Sequence, residues 1–135
     1  MYKEMTKAFE GLRLKPYKCS AGKTTIGYGR NLEDVGISKL EADYLFNADW
    51  NRAVQDAMRI CKDYDIDYKQ LIEQRFYVLT DMCFNMGYAR TKAFKKMLTA
   101  LKKGLYEDAS KEMLDSMWAK QVGNRAIKLA HLMKG

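Results

Sequence analysis

Only one stretch of this chain has the pattern of β-strands, and that narrows the folds open to it. Between residues 12 and 35, Leu12 and Leu14 alternate with Arg13 and Lys15, and Tyr17, Thr24, Thr25, Ile26 and Tyr28 are strand formers. Gly22, Gly27 and Gly29 allow tight turns or the close approach of another segment. Nearly everything else favours helix: there is a single proline, Pro16, and Ala, Leu, Met, Lys and Glu recur throughout. Short strands bury little by themselves, so this sheet must lean on a helix. The 135 residues, 47% of them hydrophobic, suffice for one compact domain or two small lobes sharing a helix.

The helices follow from periodicity and caps. Tyr2, Met5, Ala8 and Phe9 recur at three and four residues, which predicts a helix over 2–9 with these side chains facing inward. Gly11 ends it and leaves Glu10 at its C-terminal edge, where the helix dipole disfavours a negative charge. Ser38 and Glu41 form the S-x-x-E capping pattern, and a long helix is expected from there to about Cys61. The run KDYDIDY, residues 62–68, reads as a turn. A central helix over 69–86 is stopped by Gly87, and further helices are expected over 92–102, 106–115 and 124–133. Trp50, Tyr77 and Phe84 are read as core.

Composition excludes several classes. Cys19, Cys61 and Cys83 have no CxxC spacing, which argues against a disulfide framework; Cys61 and Cys83 sit among apolar residues and read as small core hydrophobes. With one histidine, His131, and no clustered cysteines, no metal site is expected, and no cofactor is implied. The net charge of +7 suits nucleic acid, anionic lipid or an anionic wall polymer, but the basic residues are spread over many segments, so nucleic acid is not expected as a partner. No apolar run suits a secretory signal or a membrane span, so synthesis in the cytosol without stable membrane insertion is expected. No heptad repeat remains to drive association, which predicts a monomer.

Three ordered blocks carry a resemblance. They are EGLRLKPYKCSAGKTTIGYGR (10–30), DMCFNMG (81–87) and SMWAKQVGNRA (116–126). With its helical background, the chain resembles the phage-type, T4-like lysozymes of glycoside hydrolase family 24 over nearly its whole length. The resemblance implies an α+β fold with a small N-terminal three-stranded antiparallel β lobe and a mainly helical C-terminal lobe joined by a long helix. The whole chain, 1–135, would be one lysozyme domain. Its β lobe would span 11–37, its connecting helix 38–61, and its helical lobe 1–10 plus 62–135. It further implies a muramidase that hydrolyses the β-1,4 bond between N-acetylmuramic acid and N-acetylglucosamine in peptidoglycan. Such an endolysin is held in the host cytoplasm and reaches the wall through a phage-encoded membrane pore.

The family's catalytic glutamate matches Glu10, its catalytic aspartate matches Cys19 and its catalytic-site threonine matches Thr25. The arginine that pairs with the glutamate matches Arg125, and the tryptophan and asparagine near the cleft match Trp118 and Asn124. Asn85 can reach the cleft from the end of the central helix. Arg30 stands where the best-known member has a histidine, and the segment after it, NLEDVGIS, is shorter, which trims part of the groove wall.

Glu10 is the expected general acid. Cys19 could serve as base toward water, as nucleophile, or only fill a loop, and Lys18 beside it would favour the thiolate if the two approach. Thr25 would hold water or substrate through its hydroxyl, Asn124 is placed as an N-cap, and Trp118 either stacks on sugar or wedges the core. The missing aspartate keeps one alternative open, a noncatalytic peptidoglycan-binding module.

Overall fold

The strand-forming segment closes into a three-stranded antiparallel sheet in the order β1 (Arg13–Lys18), β2 (Thr24–Gly27), β3 (Arg30–Asn31). The computed structural model describes all of residues 1–135. β1 pairs with β2 at Arg13–Gly27, Tyr17–Thr25 and Lys18–Thr24, and the register slips between Arg13 and Tyr17. Pro16 lies in that interval, where it has no N–H to give to the ladder. Tyr28 and Gly29 turn β2 into β3, and Gly29 adopts a φ of +80° that other residues rarely tolerate.

Two compact units divide the chain, Met1–Leu45 and Phe46–Gly135. The first holds the sheet, the helix α1 (Tyr2–Glu10) and the start of α2 (Lys39–Asp63). Sequence expectation had grouped 1–10 with the later helices and turned Tyr2, Met5, Ala8 and Phe9 inward. Tyr2 and Phe9 are instead 79% and 82% exposed, and no residue of α1 is buried. The first unit offers α1 little to bury against: Thr25 is its only buried residue. α1 reaches the sheet through the Lys7 ammonium, 5.2 Å from the centre of the Tyr28 ring, and through Glu10.

The start of α2 shows why the segment between sheet and helix can be short. The Glu41 N–H donates to Ser38 Oγ at 3.1 Å, and the Ser38 N–H donates back to Glu41 Oε1 at 2.8 Å, the reciprocal capping expected from the sequence. The same carboxylate receives Arg30 Nη1 at 2.9 Å and Nη2 at 2.6 Å, while Nη1 also donates to the Gly36 carbonyl at 3.0 Å. One acid thus caps α2 and ties it to β3. The Arg30 fork, then the Ser38 donors, hold Glu41 at about 2, well below the usual carboxylate range. Its stabilising effect is therefore present above the ordinary carboxylate range and is lost as pH falls toward about 2. An acid titration followed by side-chain carboxyl NMR is expected to put the Glu41 midpoint near 2 and to move it up in Arg30→Leu. A parent midpoint near the ordinary value of about 4.3 would show that the pair does not form.

The second unit is all helix. After α2 come a single 3-10 turn at Tyr68–Gln70, α3 (Glu73–Met86), α4 (Tyr88–Lys92), α5 (Lys95–Lys102), α6 (Tyr106–Leu114), α7 (Met117–Val122) and α8 (Asn124–Lys134). Ile60, Leu79, Met82, Leu98, Met113 and Met133 are fully buried at its centre, with Cys61 and Cys83 among them as expected. Burial pushes the Cys61 thiol up to about 11 and the Cys83 thiol up to about 12. The expected helix over 69–86 begins only at Glu73, and α4 and α7 were not foreseen; each has too few residues for a periodic stripe. Ser116 caps α7 by accepting the Ala119 N–H at 3.1 Å. Asn124 is not the cap of α8. Gly123 takes that place with a φ of +59°, and Asn124 is the first helical residue. Tyr77 and Phe84, expected in the core, are 40% and 38% exposed and pack at a tilt on Phe46 and Trp50 at ring separations of 5.4–6.1 Å.

Candidate active site

Glu10 ends α1 and projects onto the β2–β3 turn. A Cβ on Gly29 would lie 2.5 Å from Glu10 Oε2, so the absence of a side chain at 29 gives the carboxylate its seat. Glu10 itself is exposed. α1, Gly11 at its end and the hairpin turn therefore fix where this acid stands.

Cys19 lies just past β1, and the turn it begins wraps around its own sulfur. The Cys19 N–H donates to the Lys23 carbonyl at 2.9 Å, and the Gly22 N–H donates to the Cys19 carbonyl at 2.8 Å. Backbone N–H groups of Lys23, then of Ala21, face the sulfur, with the Thr25 hydroxyl beside them, and hold the thiol below the ordinary cysteine range. Cys19 is half-buried and is in no disulfide. Lys18 is not the cause. Its ammonium goes to Thr24 Oγ1 at 2.6 Å and to Glu33 at 3.2 Å. With its ammonium held by these two partners, adjacency in sequence does not bring Lys18 to the sulfur.

Thr25 is 3% exposed, and its hydroxyl donates to the Lys23 carbonyl at 2.9 Å. That single proton serves one acceptor at a time, so rotation of the hydroxyl can switch it between the carbonyl and the Cys19 sulfur. Cys19 and Thr25 are thus brought together around Lys23. Arg30 is engaged by Glu41, which makes it a link within the first unit. The short turn over 31–36 leaves an apolar hollow of about 650 Å³ between Ile26, Tyr28, Val35, Ile37, Tyr44 and Leu45.

The second unit gathers its own set on one face of α3. Asp81 and Asn85 are four residues apart and share that face. Arg125 Nε and Nη2 donate to the two Asp81 oxygens at 2.9 and 3.1 Å. Trp118 Nε1 donates to Asn85 Oδ1 at 2.7 Å. Trp118 is 4% exposed and stands edge-on to Phe94 at 6.0 Å, so it wedges the core and presents no open ring for stacking. The arginine pairing expected for Glu10 would join the two units; within its own unit the partner of Arg125 is Asp81. A buried carboxylate in the apolar run of α3 calls for a cation, and Asp81 was legible on that ground. No group of three or more His, Cys, Asp or Glu side chains is arranged to hold a metal ion, and no helix is long and apolar enough to cross a membrane.

The sequence as a whole agrees with these local features. A profile of the phage lysozyme family matches residues 7–134. The probable T4-type lysozyme 1 of Dictyostelium discoideum is 27% identical over 98% of this chain and 92% of its own length. An endolysin of Acyrthosiphon pisum secondary endosymbiont phage 1 is 30% identical over 90% of this chain and 80% of its own. The pre-baseplate central spike protein Gp5 of Enterobacteria phage T4 is 29% identical over 96% of this chain, which spans 27% of that longer protein. With a profile match over almost every residue and Glu10 and Thr25 inside it, the chain belongs to the phage lysozyme family.

Proposed function

We propose that this chain is a peptidoglycan hydrolase that cleaves the β-1,4 bond between N-acetylmuramic acid and N-acetylglucosamine. Glu10 acts as the general acid, and Cys19, with Thr25, acts on the opposite side of the bond. The observation that carries this reading is the seat of Glu10: its carboxylate lies on a glycine that leaves it room, in the unit that also holds Cys19 in a turn whose N–H groups face the sulfur. Glycosidases need one protonated acid at the glycosidic oxygen and a second group to activate water or attack the sugar. A net charge of +7 favours approach to an anionic wall.

On this reading the whole chain, 1–135, is one lysozyme domain, and Asn85, Asn124 and Arg125 are among its substrate-binding or supporting residues. Removing Arg125 would leave unpaired an Asp81 carboxylate whose side chain is 12% exposed. The protein is held in the host cytoplasm and reaches the wall through a phage-encoded pore.

Clearing of outer-membrane-stripped Gram-negative cells tests the activity, and mass spectrometry of the released fragments tests the bond. Fragments with hydrolysed N-acetylmuramic acid reducing ends are expected. No clearing anywhere between roughly pH 5 and pH 8, with the fold verified, would leave a peptidoglycan-binding module without turnover.

A further inference from the structure

We propose that Glu33 is a positioning residue, which sets the separation of Cys19 and Thr25 by fastening the residue before each of them. Glu33 Oε1 accepts three bonds: the Thr24 N–H at 3.0 Å, the Thr24 hydroxyl at 2.9 Å and the Lys18 ammonium at 3.2 Å. The ammonium also donates to Thr24 Oγ1 at 2.6 Å, which closes a triangle across the mouth of the β1–β2 loop. Lys18 and Thr24 are cross-strand partners in the register. Cys19 and Thr25 follow them directly. Strand neighbours face opposite ways, so Thr25 points to the face away from the triangle. Glu33 therefore works from behind the sheet and touches neither reacting group.

The turn that carries Glu33 is itself fixed. Asn31 Oδ1 accepts the Asp34 N–H at 3.0 Å, and Asn31 Nδ2 donates to Asp34 Oδ2 at 3.0 Å. The Val35 and Gly36 N–H groups donate to the Asn31 and Leu32 carbonyls at 3.0 and 3.1 Å, and the Leu32 N–H donates to the Thr24 carbonyl at 2.9 Å. Thr24, and then Lys18, hold the Glu33 carboxyl at about 2, so it remains an anion through the working range. The remaining charged pair at this end, Lys23 with Asp34 at 3.4 Å, fastens the same turn to the loop. Without Glu33, Thr24 and Lys18 lose the shared acceptor that ties the two ends of the loop over 19–23 to the turn, and the aim of the N–H groups that face the Cys19 sulfur slackens.

The assignment deepens the proposed reaction at Cys19, and its test needs no turnover. Alkylation of the full chain by iodoacetamide across pH, with the modified residue mapped by mass spectrometry, reads the Cys19 thiol; Cys61 and Cys83 are 0% and 4% exposed and stay silent. Glu33→Ala is expected to raise the Cys19 midpoint by about one pH unit, which is about a tenfold lower rate at neutral pH. Glu33→Gln keeps an oxygen for the Thr24 N–H and is expected to stay near the parent. If Glu33 acted only by neutralising Lys18, both variants would free that cation and shift the midpoint down together, and this outcome would overturn the proposal. So would a parental midpoint in Glu33→Ala while the Ile26 and Asn31 amide shifts show an intact sheet. Should Glu33→Ala lose the sheet, Glu33→Asp decides, because it keeps the charge but draws the carboxylate back from Thr24: a midpoint above the parent's supports the role, and a parental midpoint refutes it. The clearing assay on the parent decides the hydrolase reading separately.

Discussion

Glu10→Gln is expected to keep the fold and the affinity for peptidoglycan while lowering hydrolysis about 10²–10⁴-fold. The amide has the size of the carboxyl group and can occupy the same seat on Gly29. It has no proton to transfer, so only the protonation of the leaving oxygen is lost. Glu10 is exposed in the first unit and makes no buried ion pair there, so the substitution leaves no unpaired partner behind and stability should change little. Two measurements separate the effects: turnover on a soluble glycan fragment, and co-sedimentation with purified sacculi. Activity within about tenfold of the parent would mean that another group supplies the proton. Equal loss of binding and turnover would mean that Glu10 holds substrate and does not act on the bond.

The places where sequence reasoning held are those where the signal is local. The Ser38–Glu41 cap, the glycine-bounded hairpin and the stop at Gly87 each depend on residues within a few positions of one another, and each is present. The apolar stripe of α1 was read correctly as a stripe, but periodicity says which face is apolar and not what covers it. The same holds for Tyr77 and Phe84, whose rings meet Trp50 at a tilt at the margin of the core. Lys18 beside Cys19 failed because its ammonium is claimed by Thr24 and by Glu33, 15 residues away. Glu33 was not legible at all. It sits next to Asp34 in an exposed turn, and nothing local distinguishes two neighbouring acids when the partners of one lie 9 and 15 residues away. The family resemblance supplied Glu10, Cys19 and Thr25 as positions. The backbone N–H groups of Lys23 and Ala21 at the sulfur needed the fold, because main-chain donors leave no mark in a sequence.

Those donors set the expectation for position 19. Cys19→Asp is expected to keep or raise activity, because N–H groups that face a sulfur anion also serve a carboxylate, and charge-assisted bonds of this kind are strong. The two proteins should differ in pH dependence. A base must be deprotonated, so the parent's base limb should rise with pH toward its lowered thiol pKa, set against the proton that Glu10 must keep. The aspartate, with an ordinary value of about 3.9, should carry its activity to lower pH. Cys19→Ala should lose about 10²-fold and no more than that, since Glu10, Thr25 and a bound water can still act. Equal rates for parent, Cys19→Asp and Cys19→Ala would reduce position 19 to scaffolding. The first-formed anomer, read by NMR on a soluble glycan, then separates the two roles of the thiolate. Water attack gives inversion and needs roughly 6.5–9.5 Å between the two groups. Direct attack gives retention through a carbon–sulfur bond to the sugar: the glycosidic bond breaks as the thiolate adds, Glu10 protonates the leaving oxygen, and water later releases the sugar from sulfur. Inversion is the expected outcome, and a trapped thioglycoside on Cys19 with a retained anomer would replace that mechanism with the covalent one.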